Sequence, residues 1–95
     1  MKGYVIVDIE ILDQGKFQKY RQMAASSIEQ YGGHYVVRGG RIEPLEGDWR
    51  PERLTIVEFE SIDRAKAWYD SAEYAAAKQI RQEASRCRVL IVEGT

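Results

Sequence analysis

The chain has one cysteine, one histidine and two prolines, no large excess of either charge and no long uninterrupted apolar run. A lone Cys87 forms no intramolecular disulfide, and together with a lone His34 it provides neither zinc-ligand spacing nor more than thin support for haem ligation. Fourteen Lys and Arg face fifteen Asp and Glu, a formal net charge of −1, so no global basic field draws in nucleic acid or anionic lipid. The opening "MKGYVIVDIEILDQ" breaks its apolar residues with Asp8 and Glu10, the pattern of neither a signal peptide nor a membrane span. A cytoplasmic chain with no metal, no cofactor, no nucleic-acid partner and no membrane partner is therefore expected. Ninety-five residues suit a single domain, 1–95; at this size roughly 60 to 65% of the unfolded surface is buried on folding, a thin core that a partner chain would help.

What is present is a run of alternating segments. Tyr4 to Leu12 is rich in β-branched residues and reads as a strand with two unlike faces. Val5, Val7, Ile9 and Ile11 form an apolar face; Tyr4, Ile6, Asp8, Glu10 and Leu12 form a mixed one. Asp13 reads as a helix N-cap, followed by Phe17, Tyr20, Ala24, Ser27, Ile28 and Tyr31 at helical spacing and by Gly32 and Gly33 as a stop. "HYVVRGGRIEPL" reads as a second strand that bends or bulges at Gly39 and Gly40, "EGDWRPER" as a turn, and "LTIVEFE" as a third strand. Ser61 reads as the N-cap of a second helix carrying Ala65, Trp68, Tyr69 and Ala72, kinked near Ser71, and "RVLIVEG" as a fourth strand.

This order, β-α-β-β-α-β, is that of the ferredoxin-like α+β fold: a four-stranded antiparallel sheet of order 4132 with two helices on one face. "IVDIE" at Ile6–Glu10 echoes "IVEFE" at Ile56–Glu60, and the right-handed crossovers lead to the expectation that strands one and three are central and parallel. The apolar set Val5, Val7, Ile9, Ile11, Thr55, Val57 and Phe59 then faces the helices. The opposite face presents Tyr4, Ile6, Leu12, Leu54 and Ile56 with Asp8, Glu10 and Glu58, an exposed apolar area that predicts a symmetric homodimer through the open sheet face. The RNA recognition motif shares the element order, but "LTIVEFE" lacks its exposed aromatic pattern.

The stretches "YGGHYVVRGGR", "EGDWRP" and "WYDSAEYAAAKQIR" resemble, in that order, the bacterial family known as domain of unknown function 1330 (DUF1330), from about Gly3 to Gly94. The resemblance implies a ferredoxin-like domain of the dimeric α/β barrel superfamily. It brings no catalytic residues with it. That superfamily includes cofactor-independent monooxygenases, isomerases and lyases of small organic acids, haem-dependent enzymes, and modules with no known chemistry.

The residues themselves suggest a constellation. With strands one and three parallel, Asp8 and Glu58 fall side by side about 5 Å apart, and at an effective dielectric near 20 they repel by roughly 3 kcal/mol, about two pKa units. One carboxyl then keeps its proton, supplying an acid and a base from two like residues. Period two places His34 and Arg38 on the same face. The functional expectation is a small organic acid or aromatic bound by Arg38 while Asp8, Glu58 or His34 moves a proton. The competing expectation is a non-catalytic dimerisation or regulatory module, in which Arg38 neutralises both carboxylates. Tyr4 either contacts a ligand through its hydroxyl or fills the interface, and Trp49 is either a lid over a ligand or an anchor on the partner. Trp68, Tyr69 and Tyr74 read as core, and Cys87 as an ordinary thiol.

Overall fold

The computed structural model describes residues 1–95. The elements are β1 (Gly3–Ile11), α1 (Gln14–Gln30), β2 (His34–Arg38), β3 (Arg53–Phe59), α2 (Ile62–Tyr69), α3 (Ala72–Ala84) and β4 (Ser85–Glu93). Each helix starts at a side-chain cap that satisfies a backbone N–H with no partner in its own helix. Asp13 accepts from the Lys16 N–H at 3.0 Å, Ser61 from Arg64 at 3.1 Å and Ser71 from Tyr74 at 3.1 Å. Ser71 does more than kink the second helix. Its backbone is extended, so the expected single helix is two, and the chain has three helices.

The sheet order is β2-β3-β1-β4, which is 4132 read from the other edge. Every pairing in it is antiparallel. The expectation that strands one and three run parallel is corrected here. The helical crossover makes β2 parallel to β1 at a distance, and the β2–β3 hairpin then reverses the chain, so β3 runs against β1.

Two further boundaries differ from the sequence reading. β2 stops at Arg38, and β4 begins at Ser85, directly after α3, so that Cys87 lies within the strand. This longer β4 matches β1 residue for residue from Gly3↔Glu93 to Ile11↔Ser85. Its pattern explains the gain: Ser85, Cys87, Val89 and Ile91 turn toward the helices while Arg86 and Arg88 meet Glu10 and Asp8 on the other face.

The core is the layer between helices and sheet. Val5, Val7, Ile9, Val57 and Phe59 from the sheet pack under Phe17, Ala24, Ile28, Ala65, Trp68 and Tyr74. Trp68 and Tyr74 are buried, as their spacing predicts, and the Trp68 indole N–H donates to Ser27 Oγ at 3.0 Å. No helix is long and apolar enough to cross a membrane.

Candidate functional site

Antiparallel partners share a sheet face, so the register lays the open face out in rows. The central row is apolar across all four strands: Val37, Ile56, Ile6 and Leu90. On one side runs His34, Glu58, Tyr4 and Val92; on the other, Leu54, Asp8 and Arg88. Asp8 and Glu58 therefore sit on different rows, four residues apart along the ladder, or roughly 13 Å at the usual strand rise. The proton-sharing pair fails on this geometry, because the repulsion it needs requires neighbouring strands in parallel register.

Each open-face acid has a basic side chain within reach. His34 Nε2 lies 3.3 Å from Glu58, Arg88 3.5 Å from Asp8 and Arg86 3.5 Å from Glu10. The Trp49 indole N–H also donates to Asp8 Oδ2 at 2.9 Å, which folds the long β2–β3 connection over its own sheet. Asp8, Glu10, Trp49, Pro51 and Arg88 line a shallow hollow of about 620 Å³ there. Glu58 holds the Tyr4 hydroxyl proton more firmly than in a free tyrosine, chiefly by hydrogen bonding.

Arg38 is not on this face. A β-bulge interrupts the β2–β3 register between Tyr35 and Val37: Tyr35 pairs with Val57 and Val37 with Ile56, leaving Val36 as the extra residue. One inserted residue moves everything beyond it to the opposite face. Arg38 consequently pairs with Thr55, a buried helix-side position, and its guanidinium stacks 4.2 Å above the Tyr35 ring. Arg38 thus joins neither the acid–base group expected with Asp8, Glu58 and His34 nor the salt-bridged face that was its competitor.

On the helix side Arg38 meets two arginines that the sequence reading passed over. Arg53 opens β3 opposite Ile9, and Arg21 projects from α1 with its guanidinium 5.0 Å from the Phe17 ring. All three line one narrow cleft with Tyr20, Tyr35 and Thr55, enclosing about 30 Å³. Arg53 packs so closely on Gly39 that any Cβ there would lie 2.4 Å from its Nη1, and Gly39 has a φ of +67°. Burial, then the charges of Arg21 and Arg38, make Arg53 a weaker base than usual. None of the three is among the chain's ion pairs, and the Nε atoms of Arg21 and Arg53 are buried without a hydrogen-bond partner. Arg21 has one side-chain bond, to Gln18 at 2.8 Å.

The sequence did hold a signal for these residues. Arg21 falls on the stripe of Phe17, Ala24 and Ile28, and Arg53 is two residues before Thr55 on the apolar face of β3. Arg81 breaks the inward stripe of α3 in the same way. It is 4% exposed, and its Nε donates to the Tyr74 hydroxyl at 3.2 Å, with Tyr20 and Tyr74 hydroxyls 2.9 Å apart beyond it. Burial raises the pKa of both tyrosines, so they stay neutral.

A ferredoxin-like sheet with one helix-covered face, one open face with an apolar central row and an arginine-lined cleft defines the class. The model of the family described as "Domain of unknown function (DUF1330)" matches residues 2–95, and the chain belongs to that family. No protein of curated function matches it. Among solved structures, a protein of unknown function from Rhodopseudomonas palustris superposes with a TM-score of 0.78 at 17% identity, over 99% of this chain and 82% of that one. A dimeric ferredoxin-like protein of unknown function from Jannaschia sp. CCS1 gives 0.67 at 12% identity, over 99% and 100%. A Nitrosomonas europaea protein provisionally assigned as an antibiotic biosynthesis monooxygenase gives 0.56 at 16%, over 98% and 89%. At these identities the likeness is one of fold.

Proposed function

We propose that this protein is a homodimer, joined through the open sheet face, that binds a small organic acid at the mouth of the helix–sheet cleft through Arg21, Arg38 and Arg53. The observation that carries the binding reading is that none of the three guanidinium groups has an ion-pair partner, and that the Nε atoms of Arg21 and Arg53 are buried without a hydrogen bond, in a chain whose open-face acids each have a basic side chain beside them. A buried or half-buried cation without a partner costs stability, and a carboxylate answers it with paired, charge-assisted hydrogen bonds. Tyr35 and Tyr20 line the same cleft and give a carbon skeleton apolar ring edges to touch.

The dimer reading draws on the row Val37, Ile56, Ile6 and Leu90, with Leu90 56% exposed, flanked by polar rows whose charges are already matched. An apolar centre with a polar rim is the anatomy of an interface. The dimeric state of the Jannaschia protein supports it. Replacing Ile56 by Asp places a charge in that centre and should leave a folded monomer by light scattering; a variant that stays dimeric places the interface elsewhere.

Binding is tested by titrating the labelled protein with benzoate and acetate and following amide resonances. Shifts centred on Arg38, Gly39, Arg53 and Thr55 are expected. Shifts confined to the Asp8–Trp49 hollow, or none, would overturn the reading. A second reading, a dimerisation module without a ligand, is favoured by one observation: the cleft encloses only about 30 Å³, room for little more than a water or two. In the binding reading the ligand's charged groups therefore sit at the mouth, where Arg38 is exposed.

A further inference from the structure

We infer that the ligand of the arginine mouth is a small organic dianion, a dicarboxylate rather than a monocarboxylate. This rests on the binding reading above and goes further by counting charge. Arg21, Arg38 and Arg53 come from three different elements, α1, β2 and β3, and converge on one opening. No Asp or Glu lies within ion-pair distance of any of them. One carboxylate would satisfy one guanidinium fork and leave two like charges facing each other across a cleft too narrow to hold much water.

Each of the three groups also has its own support. Arg38 lies on the Tyr35 ring, Arg21 on the Phe17 ring, and Arg53 against the backbone of Gly39. Stacking on an aromatic face fixes the plane of a guanidinium while leaving its N–H edge free to donate. Forks on three separate supports suit two anionic groups carried on a short carbon frame better than one compact anion. Tyr35 and Tyr20 line the same cleft and give that frame apolar ring edges to touch, which inorganic phosphate cannot use. The Tyr35 hydroxyl, its pKa raised mainly by burial and lowered in part by the same arginines, stays protonated and able to donate a hydrogen bond.

The test is calorimetric titration of the intact protein at one ionic strength with benzoate, phthalate, acetate, malonate and inorganic phosphate. Phthalate should bind at least about tenfold more tightly than benzoate, and malonate than acetate, a margin of about 1.4 kcal/mol per decade. Arg38→Met keeps an unbranched stem over Tyr35 and should shrink that preference to within about threefold, while Arg41→Met, which removes the same charge from an exposed Glu43 pair, should leave it intact. Equal affinity for phthalate and benzoate would overturn the dianion inference and leave acid binding standing. No heat with any of the four carboxylates would overturn both. Phosphate binding as tightly as phthalate would also defeat it, since the site would then read charge without the carbon frame.

Discussion

Removing one hydroxyl from the Tyr20–Tyr74–Arg81 chain should cost far more than removing its neighbour. Arg81 is 4% exposed, and its Nε donates to Tyr74 at 3.2 Å. In Tyr74→Phe that charged donor loses its acceptor and Tyr20 loses its partner. A bond to a charged group contributes about 1.5–3 kcal/mol and a neutral one about 1, so the variant should lose about 3 kcal/mol. Tyr20→Phe removes only the neutral bond, and Tyr74 keeps its guanidinium, so the loss should be about 1 kcal/mol. For a domain this size each kcal/mol moves the melting temperature by roughly 4–8 °C, which puts the two variants on the order of 15 °C and 6 °C below the parent. Because the two changes share one hydrogen bond, the double variant should resemble Tyr74→Phe alone. Urea unfolding followed by circular dichroism measures all three. Equal losses for the two single variants would refute the reasoning, since Arg81 would then not depend on Tyr74.

Three other expectations come from single contacts. An ideal Cβ at Gly33 lies 2.5 Å from Cε1 of the Phe59 ring, which is 1% exposed, so Gly33→Ala should destabilise by about 1–3 kcal/mol in the same urea assay. Burial lifts Tyr20, Tyr74 and Tyr35 above the usual tyrosine value of 10, so the folded state favours their neutral forms; that stability is present below pH 10 and is lost as the pH climbs past it. Phenolate absorbance should accordingly show these three ionising together with the loss of circular dichroism rather than before it. Deleting Val36 removes the bulge and leaves Tyr35 opposite Val57, Val37 opposite Ile56 and Arg38 still opposite Thr55, so phthalate affinity should stay within about threefold with the helical signal retained; a loss of about tenfold or more would show that the bulge itself positions Arg38.

Much of the fold could be read in advance because the strands are asymmetric. Val5, Val7 and Ile9 alternate with Ile6, Asp8 and Glu10, and period two alone assigns the first set to the core. Two caps were equally plain, since Asp13 and Ser61 each accept from the residue three ahead, whereas Ser71, read as a kink, caps a helix of its own. Strand direction was not, and the echo of "IVDIE" in "IVEFE" misled: similar pentapeptides invite a parallel superposition. Direction is set instead by the hairpin joining β2 to β3, whose reversal puts Glu58 opposite Tyr4 and Leu54 opposite Asp8. An error in strand direction leaves the face of every residue unchanged and alters every neighbour, so the core prediction survived and the carboxylate pair did not.

The bulge exchanged faces as well as neighbours, since an unbroken register from Tyr35↔Val57 would set Arg38 opposite Leu54 and the bulge sets it opposite Thr55. "HYVVR" carries no glycine, proline or break in its alternation that would mark Val36 as the extra residue, and the glycines that invited a bend lie three residues later at Gly39 and Gly40. Yet the cleft was detectable by a different route. Arg21, Arg53 and Arg81 each occupy a position that helix or strand periodicity assigns to the interior, where an unpaired arginine is rare. Residue type singled out His34 and the acids, which belong to a matched surface; periodic position singles out the arginines, which do not. Where a charged side chain interrupts an apolar stripe and the sequence offers it no partner at i±3 or i±4, the partner must come from the fold or from a ligand. For Arg81 the fold supplies Tyr74. For Arg53 it supplies Gly39, the Tyr35 side chain and two more arginines but no hydrogen-bond acceptor for Nε, and that difference points outside the chain.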